Sequence, residues 1–492
     1  MQRRNFLKSI GLLSAGLALP AAESWTHEGA EFVSRQVKGK ISHEGKGIPS
    51  VIVSDGYTVA QTDGNGIYKI STHHDAKFIF VSLPSGYEIP NDKGIAKFYK
   101  LLNKNGKAEE INFELHKLAV DDDKHTFIVW ADPQMQNAAD TDFFHQTSVP
   151  DTKAHVIDMG NVPVFGIACG DIAFDHFEVY DDYKKGVATT GIPFFQVIGN
   201  HDMDYNARTD DESQATFTSL FGPTYYSFNR GKVHYVVLDD VFFIGTGHRY
   251  IGYLTEEQLK WLEKDLQFVP KGNTVVVAMH IPSNTGARKR EKQKEDSIGG
   301  VVMNRQALYD LLKPYKVQIV SGHTHWNEVW EKDNIIEHNL GTLCGAWWSG
   351  PICGDGTPNG YGVFEVDGDQ ISWYYKSTGF EKSHQMRLYR PGVIEDKPEH
   401  FMANIWNHDE QWSIEWFEDG VSKGGMEKYI GQDAAAIELY KGKDKPLRHK
   451  GVEPNITDHL FIAKPSTDAK EIKVIAKDRF GNVFEEQLLL HA

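Results

Sequence analysis

Five short polar clusters, each closing an apolar run, constrain what this chain can fold into more than any other feature. They are Ala131-Asp132-Pro133-Gln134, Gly170-Asp171, Gly199-Asn200-His201-Asp202, Met279-His280-Ile281 and Gly322-His323-Thr324-His325. The runs before them, Thr126 to Trp130, Val164 to Cys169, Phe194 to Ile198, Thr274 to Met279 and Val317 to Val320, read as buried strands. Helical stretches lie between these runs. Thr255-Glu256-Glu257-Gln258 is a capping box that opens a helix with Leu259, Leu262 and Leu266 on one face. Strands alternating with helices predict an α/β architecture, in which sites gather where strands end and loops begin.

The clusters therefore aim carboxylates, amides and imidazoles from successive loops at one sheet edge. Asp, Asn and His make a mixed oxygen and nitrogen ligand set suited to Mn²⁺, Fe or Zn²⁺. Cysteine is absent from the set, which argues against a structural zinc site. Each cluster alone has a plainer explanation. A lone His-x-His is more often a strand pair, a lone Gly-Asp is usually a turn, and Asn-His-Asp can cap a helix. Five such clusters in one order, each at a strand end, outweigh those explanations taken separately.

The set resembles the calcineurin-like metallophosphoesterases, whose pattern is Asp-x-His, Gly-Asp, Gly-Asn-His-Asp/Glu, His and Gly-His-x-His. Phe221 to Phe228 and Val236-Val237-Leu238-Asp239 extend the resemblance, which covers residues 125–378. It implies a central β-sandwich flanked by helices, with small all-β N-terminal and C-terminal domains like those of a bacterial exported subgroup. It also implies two divalent or trivalent metal ions, Mn, Fe or Zn. The first would take Asp132, Gln134, Asp171 and His325; the second would take Asp171, Asn200, His280 and His323, with Asp171 bridging. A hydroxide held between the ions would attack phosphorus, and His201 would act as general acid. Asp202 either orients His201 or is structural. The expected activity is hydrolysis of a phosphate ester or pyrophosphate in a small phosphorylated substrate. The alternatives are a non-catalytic envelope protein that binds a ligand on the same fold, and a metal-dependent hydrolase of a non-phosphate bond.

The chain departs from the pattern twice. Gln134 stands where many members have His; some relatives, among them the manganese-dependent ADP-ribose/CDP-alcohol diphosphatases, also resemble Asp-x-Gln there. Where protein phosphatases of the family carry an Asp and then an Arg, this chain has Phe174, Asp175 and His176. That argues against a protein serine/threonine phosphatase. Arg249 and Tyr250 are candidates to reach phosphate. Trp347 and Trp348, in a Gly-rich stretch, are core residues or one wall of a substrate pocket.

The rest of the 492 residues divides around this centre. Arg3-Arg4-Asn5-Phe6-Leu7-Lys8, an apolar stretch from Ile10 to Leu19 and Pro20-Ala21-Ala22 resemble a twin-arginine export signal over residues 1–24. The expectation is a periplasmic protein with no stable transmembrane anchor once the signal is removed, since that stretch is too short to span a bilayer. Residues 31–118 read as a β-domain, with a turn at Asp63-Gly64-Asn65-Gly66; Gly39 to Tyr68 resembles the carboxypeptidase-regulatory-like β-sandwich. Residues 384–492 read as β-rich, with Trp412, Ile414 and Trp416 alternating and a hairpin across Asp478 to Asn482. A formal net charge of −16 argues against nucleic acid as a partner. Three cysteines make no disulfide framework, and Cys344 and Cys353 read as free or buried thiols.

Overall fold

Apolar runs rich in Val, Ile and Phe, bounded by Gly, Pro and Asp, build two sheets around one continuous core. The computed structural model describes residues 35–103, 107–245, 247–443 and 452–490. The expected export signal lies outside the described residues. One sheet has the order Gln370–Ser377, Gly360–Asp367, Lys124–Trp130, Val164–Cys169, Phe194–Val197, Ile95–Ala96, Asn91–Asp92. The other runs Tyr226–Arg230, Val233–Val237, Thr274–Ala278, Lys316–Ser321, Ile335–Asn339, Glu328–Lys332. Lys124–Trp130, Val164–Cys169 and Phe194–Val197 pair in parallel, as do Val233–Val237, Thr274–Ala278 and Lys316–Ser321. Parallel strands covered on both faces read as unbroken apolar runs, and Val275, Val276 and Val277 are fully buried.

Helices Val149–Asp158 and Tyr180–Thr190 set Val149, Tyr183 and Val187 against Ile128, Trp130 and Phe194 of the first sheet. The helix expected after Thr255 spans Glu256–Asp265, with the Thr255 side chain accepting from the Gln258 amide. The second half of the capping box is replaced. Gln258 turns inward, its Oε1 accepting from Asp239 N and its Nε2 donating to Asp239 O, both at 2.7 Å. No described helix is long and apolar enough to cross a membrane.

In the N-terminal region Arg35–His43 pairs with Ile67–Thr72, and the Asp63 carboxylate closes the expected turn by accepting from Asn65 N and Ile67 N. One segment of 31–118 also joins the central sheet. Ile95 pairs with Phe194, so Asn91–Ala96 extends the central sheet. A strand two residues long has no periodicity to read; burial of Ile95 and Ala96 drives the pairing. Val37, Ile41 and Phe80 also share one core with Val129, Phe165 and Val276.

The C-terminal region holds two four-stranded sheets. The hairpin across Asp478 to Asn482 joins Glu471–Lys477 to Val483–Leu489. Its tryptophans are core: Trp416 packs on Phe401, and Trp412 stacks on Phe484 with ring centroids 5.6 Å apart. The region also contains a helix, Ala434–Lys441, capped by Asp433. Cys169, Cys344 and Cys353 are buried free thiols.

Glu337, on the strand Ile335–Asn339, is fully buried among Ser283 and Ser321. Burial pushes its carboxyl from 4.5 up to about 8. The fold therefore favours the protonated acid. Its contribution is complete below the unfolded value and is lost as pH rises through about 8. Glu337→Gln should narrow the stability difference between pH 5 and pH 9 by ~1–3 kcal/mol. Denaturant midpoints at both pH values check this; the same pH dependence in variant and wild type would contradict it.

Candidate metal centre

The five clusters meet. Asp132, Asp171, Asn200, His280 and His323 each lie two or three residues past the end of a strand, on loops that leave the carboxyl ends of parallel strands. The backbone at these turns is unusual. Asp132, Gln134, Asp171, His323 and His325 all have positive φ, between 38° and 71°. Such strain persists only where packing enforces it, and it collects at functional sites. Glycines make the convergence possible. A Cβ at Gly199 would lie 2.0 Å from Asp171 N, and one at Gly322 would lie 2.3 Å from an Asp132 oxygen.

Two groups of donors face the two oxygens of Asp171. On one side Oδ1 lies 3.3 Å from His280 Nε2. That nitrogen is 3.0 Å from Asn200 Oδ1 and 3.1 Å from His323 Nδ1. On the other side Oδ2 accepts from Gln134 Nε2 at 2.7 Å. Beyond Gln134, His325 Nε2 stands 3.5 Å from Asp132 Oδ1. The Gln134 amide thus turns its nitrogen toward Asp171, with its oxygen 4.0 Å from Cys344 Sγ. In this orientation it is a donor to the carboxylate; a half-turn of the amide would present the oxygen instead.

Outer contacts hold the imidazoles. His280 Nδ1 bonds Cys169 O at 2.9 Å, and His323 Nε2 bonds Gly299 O at 2.8 Å. Each fixes the ring with its other nitrogen facing the cluster, the arrangement metal-binding histidines use. Burial alone would lower the His280 imidazole, but Asp171 pushes it up to about 10. Burial and His280 push His323 down to about 3. Burial would raise Asp171, yet His280 and His201 hold it well below the usual carboxylate range.

His201 sits beside the cluster, with Nε2 4.0 Å from Asp171 Oδ2. Its partner is Asp175, whose Oδ1 is 2.6 Å from His201 Nδ1. Burial disfavours the imidazolium, but Asp171 and Asp175 raise His201 above its ordinary value. Asp202 does not orient His201. Its carboxylate accepts from Ile172 N, Ala173 N, Gly199 N and Tyr180 OH, so it braces the loops. Sequence reasoning noted Asp175 only as an acid displaced by one residue. Positive φ at Asp175, 65°, brings it into place. Phe174, at the displaced position, stacks on His201 at 4.3 Å between centroids.

The two tryptophans divide their roles. Trp348 is buried and donates to Pro133 O at 2.9 Å. Trp347 leans on His325, with centroids 4.7 Å apart. Tyr250 sets its ring edge-on to His323, and Arg249 precedes it in the same hairpin.

The family model for the calcineurin-like phosphoesterase matches residues 125–327, that for its N-terminal part matches 35–118, and that for its C-terminal part matches 337–484. The chain belongs to the calcineurin-like phosphoesterases. Among curated relatives, purple acid phosphatase 15 of Arabidopsis thaliana is 29% identical over 34% of this chain and 30% of that protein. The probable glycerophosphodiester phosphodiesterase GpdQ of Arcobacter nitrofigilis is 27% identical over 36% of this chain and 63% of that protein. The 3',5'-cyclic adenosine monophosphate phosphodiesterase CpdA of Escherichia coli K12 is 25% identical over 39% and 70%. The chain spans less than two thirds of the first two relatives' lengths.

Calcineurin-like phosphoesterases carry metal, and the residues here fit it. Ligand atoms of Asp171, His280 and His323 lie within 4.8 Å of one another. His325 Nδ1 is buried without a hydrogen-bond partner. Two carboxylates, amide groups and three imidazoles suit divalent or trivalent transition ions.

Proposed function

We propose that this calcineurin-like phosphoesterase hydrolyses phosphate esters or pyrophosphates at a dinuclear centre, outside the cytoplasm. The observation that carries the reading is Asp171, whose two oxygens face separate donor groups. In this reading one ion is held by Asp132, Gln134, Asp171 and His325, and the other by Asp171, Asn200, His280 and His323. Bound ions supply Lewis acidity, lowering the pKa of water and offsetting charge on phosphoryl oxygens. The relatives' names divide between phosphatase and phosphodiesterase, so the reading stays at the phosphoester class. Export by the twin-arginine route rests on Arg3-Arg4 and the apolar stretch after them.

The chain's own residues then have defined work. Asp175 accepts from His201 Nδ1 and holds the ring. The proton on Nε2 is left at the edge of the cluster, where it can be handed to the leaving oxygen. Asp202 keeps the 172–173 backbone and Gly199 in register, so His201 and Asp171 stay together.

The test uses metal and leaving group together. Chelation should abolish hydrolysis of alkyl and nitrophenyl phosphates, and Mn²⁺, Zn²⁺ or Fe should restore it. His201→Gln should lose about 10²–10⁴-fold on an alkyl phosphate and much less on nitrophenyl phosphate, which needs little protonation. Equal losses on both substrates would remove the general-acid role. Full activity in metal-free protein would remove the reading itself.

A further inference from the structure

We propose that a cavity beside His323 is the subsite for a hydroxylated, sugar- or polyol-type group carried by the phosphate ester. The proposal rests on the phosphoesterase reading above and names the substrate class of the same site. The cavity measures about 290 Å³ and is lined by His323 itself and by the segment from Thr285 to Val301. That volume is at the low end of small-molecule sites, enough for one compact group. His323 borders both the cluster and this space, so an ester arm that leaves the phosphoryl group on the His323 side would enter it.

The segment is anchored. Gly299 O accepts from His323 Nε2 at 2.8 Å, and Ile298 O accepts from Gly252 N at 2.8 Å. One wall is the indole of Trp326. Arg290 lies over its ring at 5.6 Å, and its Nε1 donates to Glu328 at 3.2 Å. Glu328 is in turn bound by Arg290 at 2.8 Å, so the ring is fixed. The rest of the lining includes donors and acceptors, among them Thr285, Arg288, Glu291, Gln293 and Asp296. Gln293 Nε2 donates to Glu291 at 2.6 Å, and Arg288 donates to Lys294 O at 2.8 Å. A rigid aromatic face with hydroxyl, amide, carboxylate and guanidinium groups around it matches a ring or chain that is apolar along C–H bonds and polar at its edges. An aryl group there would cover the polar lining without satisfying it.

The test is calorimetric titration of the Mn²⁺-loaded protein with three probes that are not hydrolysed. They are inorganic phosphate, the methylene phosphonate analogue of glucose 6-phosphate, and benzylphosphonate. The sugar phosphonate should bind about tenfold more tightly than phosphate, the worth of one or two added hydrogen bonds. Benzylphosphonate should gain little. Glu291→Ala combined with Gln293→Ala changes two exposed side chains away from the cluster. It should bring the sugar phosphonate to within about twofold of phosphate and leave phosphate affinity unchanged. The proposal is overturned if the sugar phosphonate has no advantage, if benzylphosphonate gains as much, or if the double variant keeps the advantage. Failure of phosphate itself to bind would overturn the phosphoesterase reading and this subsite with it.

Discussion

Alanine at His280 should remove nearly all turnover while the protein stays folded. The ring is fully buried, and its Nε2 meets Asp171, Asn200 and His323 within 3.3 Å. Three polar groups so close to one imidazole nitrogen share a common focus, and removing it leaves that focus without a donor. The loss should exceed the 10–100-fold typical of changing an outer-shell partner of a metal ligand. Part of the cost would fall on stability, because Asp171 Oδ1 and the Cys169 carbonyl lose a buried partner. Asn200→Ala separates the two effects, since it removes a neutral group from the same side. Turnover and bound metal, measured on variants with wild-type circular dichroism, check the prediction. Wild-type turnover in folded protein of either variant would contradict it.

The second large effect is expected outside the donor cluster, at Asp355. This carboxylate is fully buried. It accepts from Asn327 N at 2.8 Å, Thr357 N at 2.9 Å, Thr357 Oγ1 at 2.8 Å and His459 Nε2 at 3.0 Å. Burial alone would raise it, yet His459 holds it below the usual range. Asn327 follows His325 by two residues, while His459 belongs to the C-terminal strand Ile456–Ala463. Asn404 and Asp433 continue the network to the cap of the helix Ala434–Lys441. Asp355 therefore ties the loop after the last metal motif to the C-terminal region. Asp355→Ala should cost ~3–5 kcal/mol, the scale for removing a buried carboxylate and leaving its four donors unmet. Denaturant midpoints measure it; a loss below about 1 kcal/mol would mean that the network is not a main tie.

The strands and the cluster were legible because each motif does two things at once. Val164 to Cys169 is an apolar strand, and Gly170-Asp171 ends it with a residue whose chemistry has few other uses in a buried turn. The partner of His201 was not legible. A register shift of one residue, taken up by positive φ at Asp175, decides between Phe174 and Asp175, and composition does not record φ. For Asp202 the sequence left two roles open, and the structure takes the structural one: its oxygens accept from the 172–173 amides. The joining of Ile95 to Phe194 and of Asp355 to His459 depends on residues about a hundred positions apart. No local period carries such pairings.

Metal content tests the central claim most directly. Purified protein, supplied with Mn²⁺, Zn²⁺ or Fe in turn and freed of loose ions, should hold about two ions per chain by mass spectrometry, with turnover falling as either is withdrawn. Asp171→Asn should lower both the content and the turnover. A folded wild-type chain that holds no ion under any of these conditions, or that hydrolyses phosphate esters equally well without one, would contradict the account.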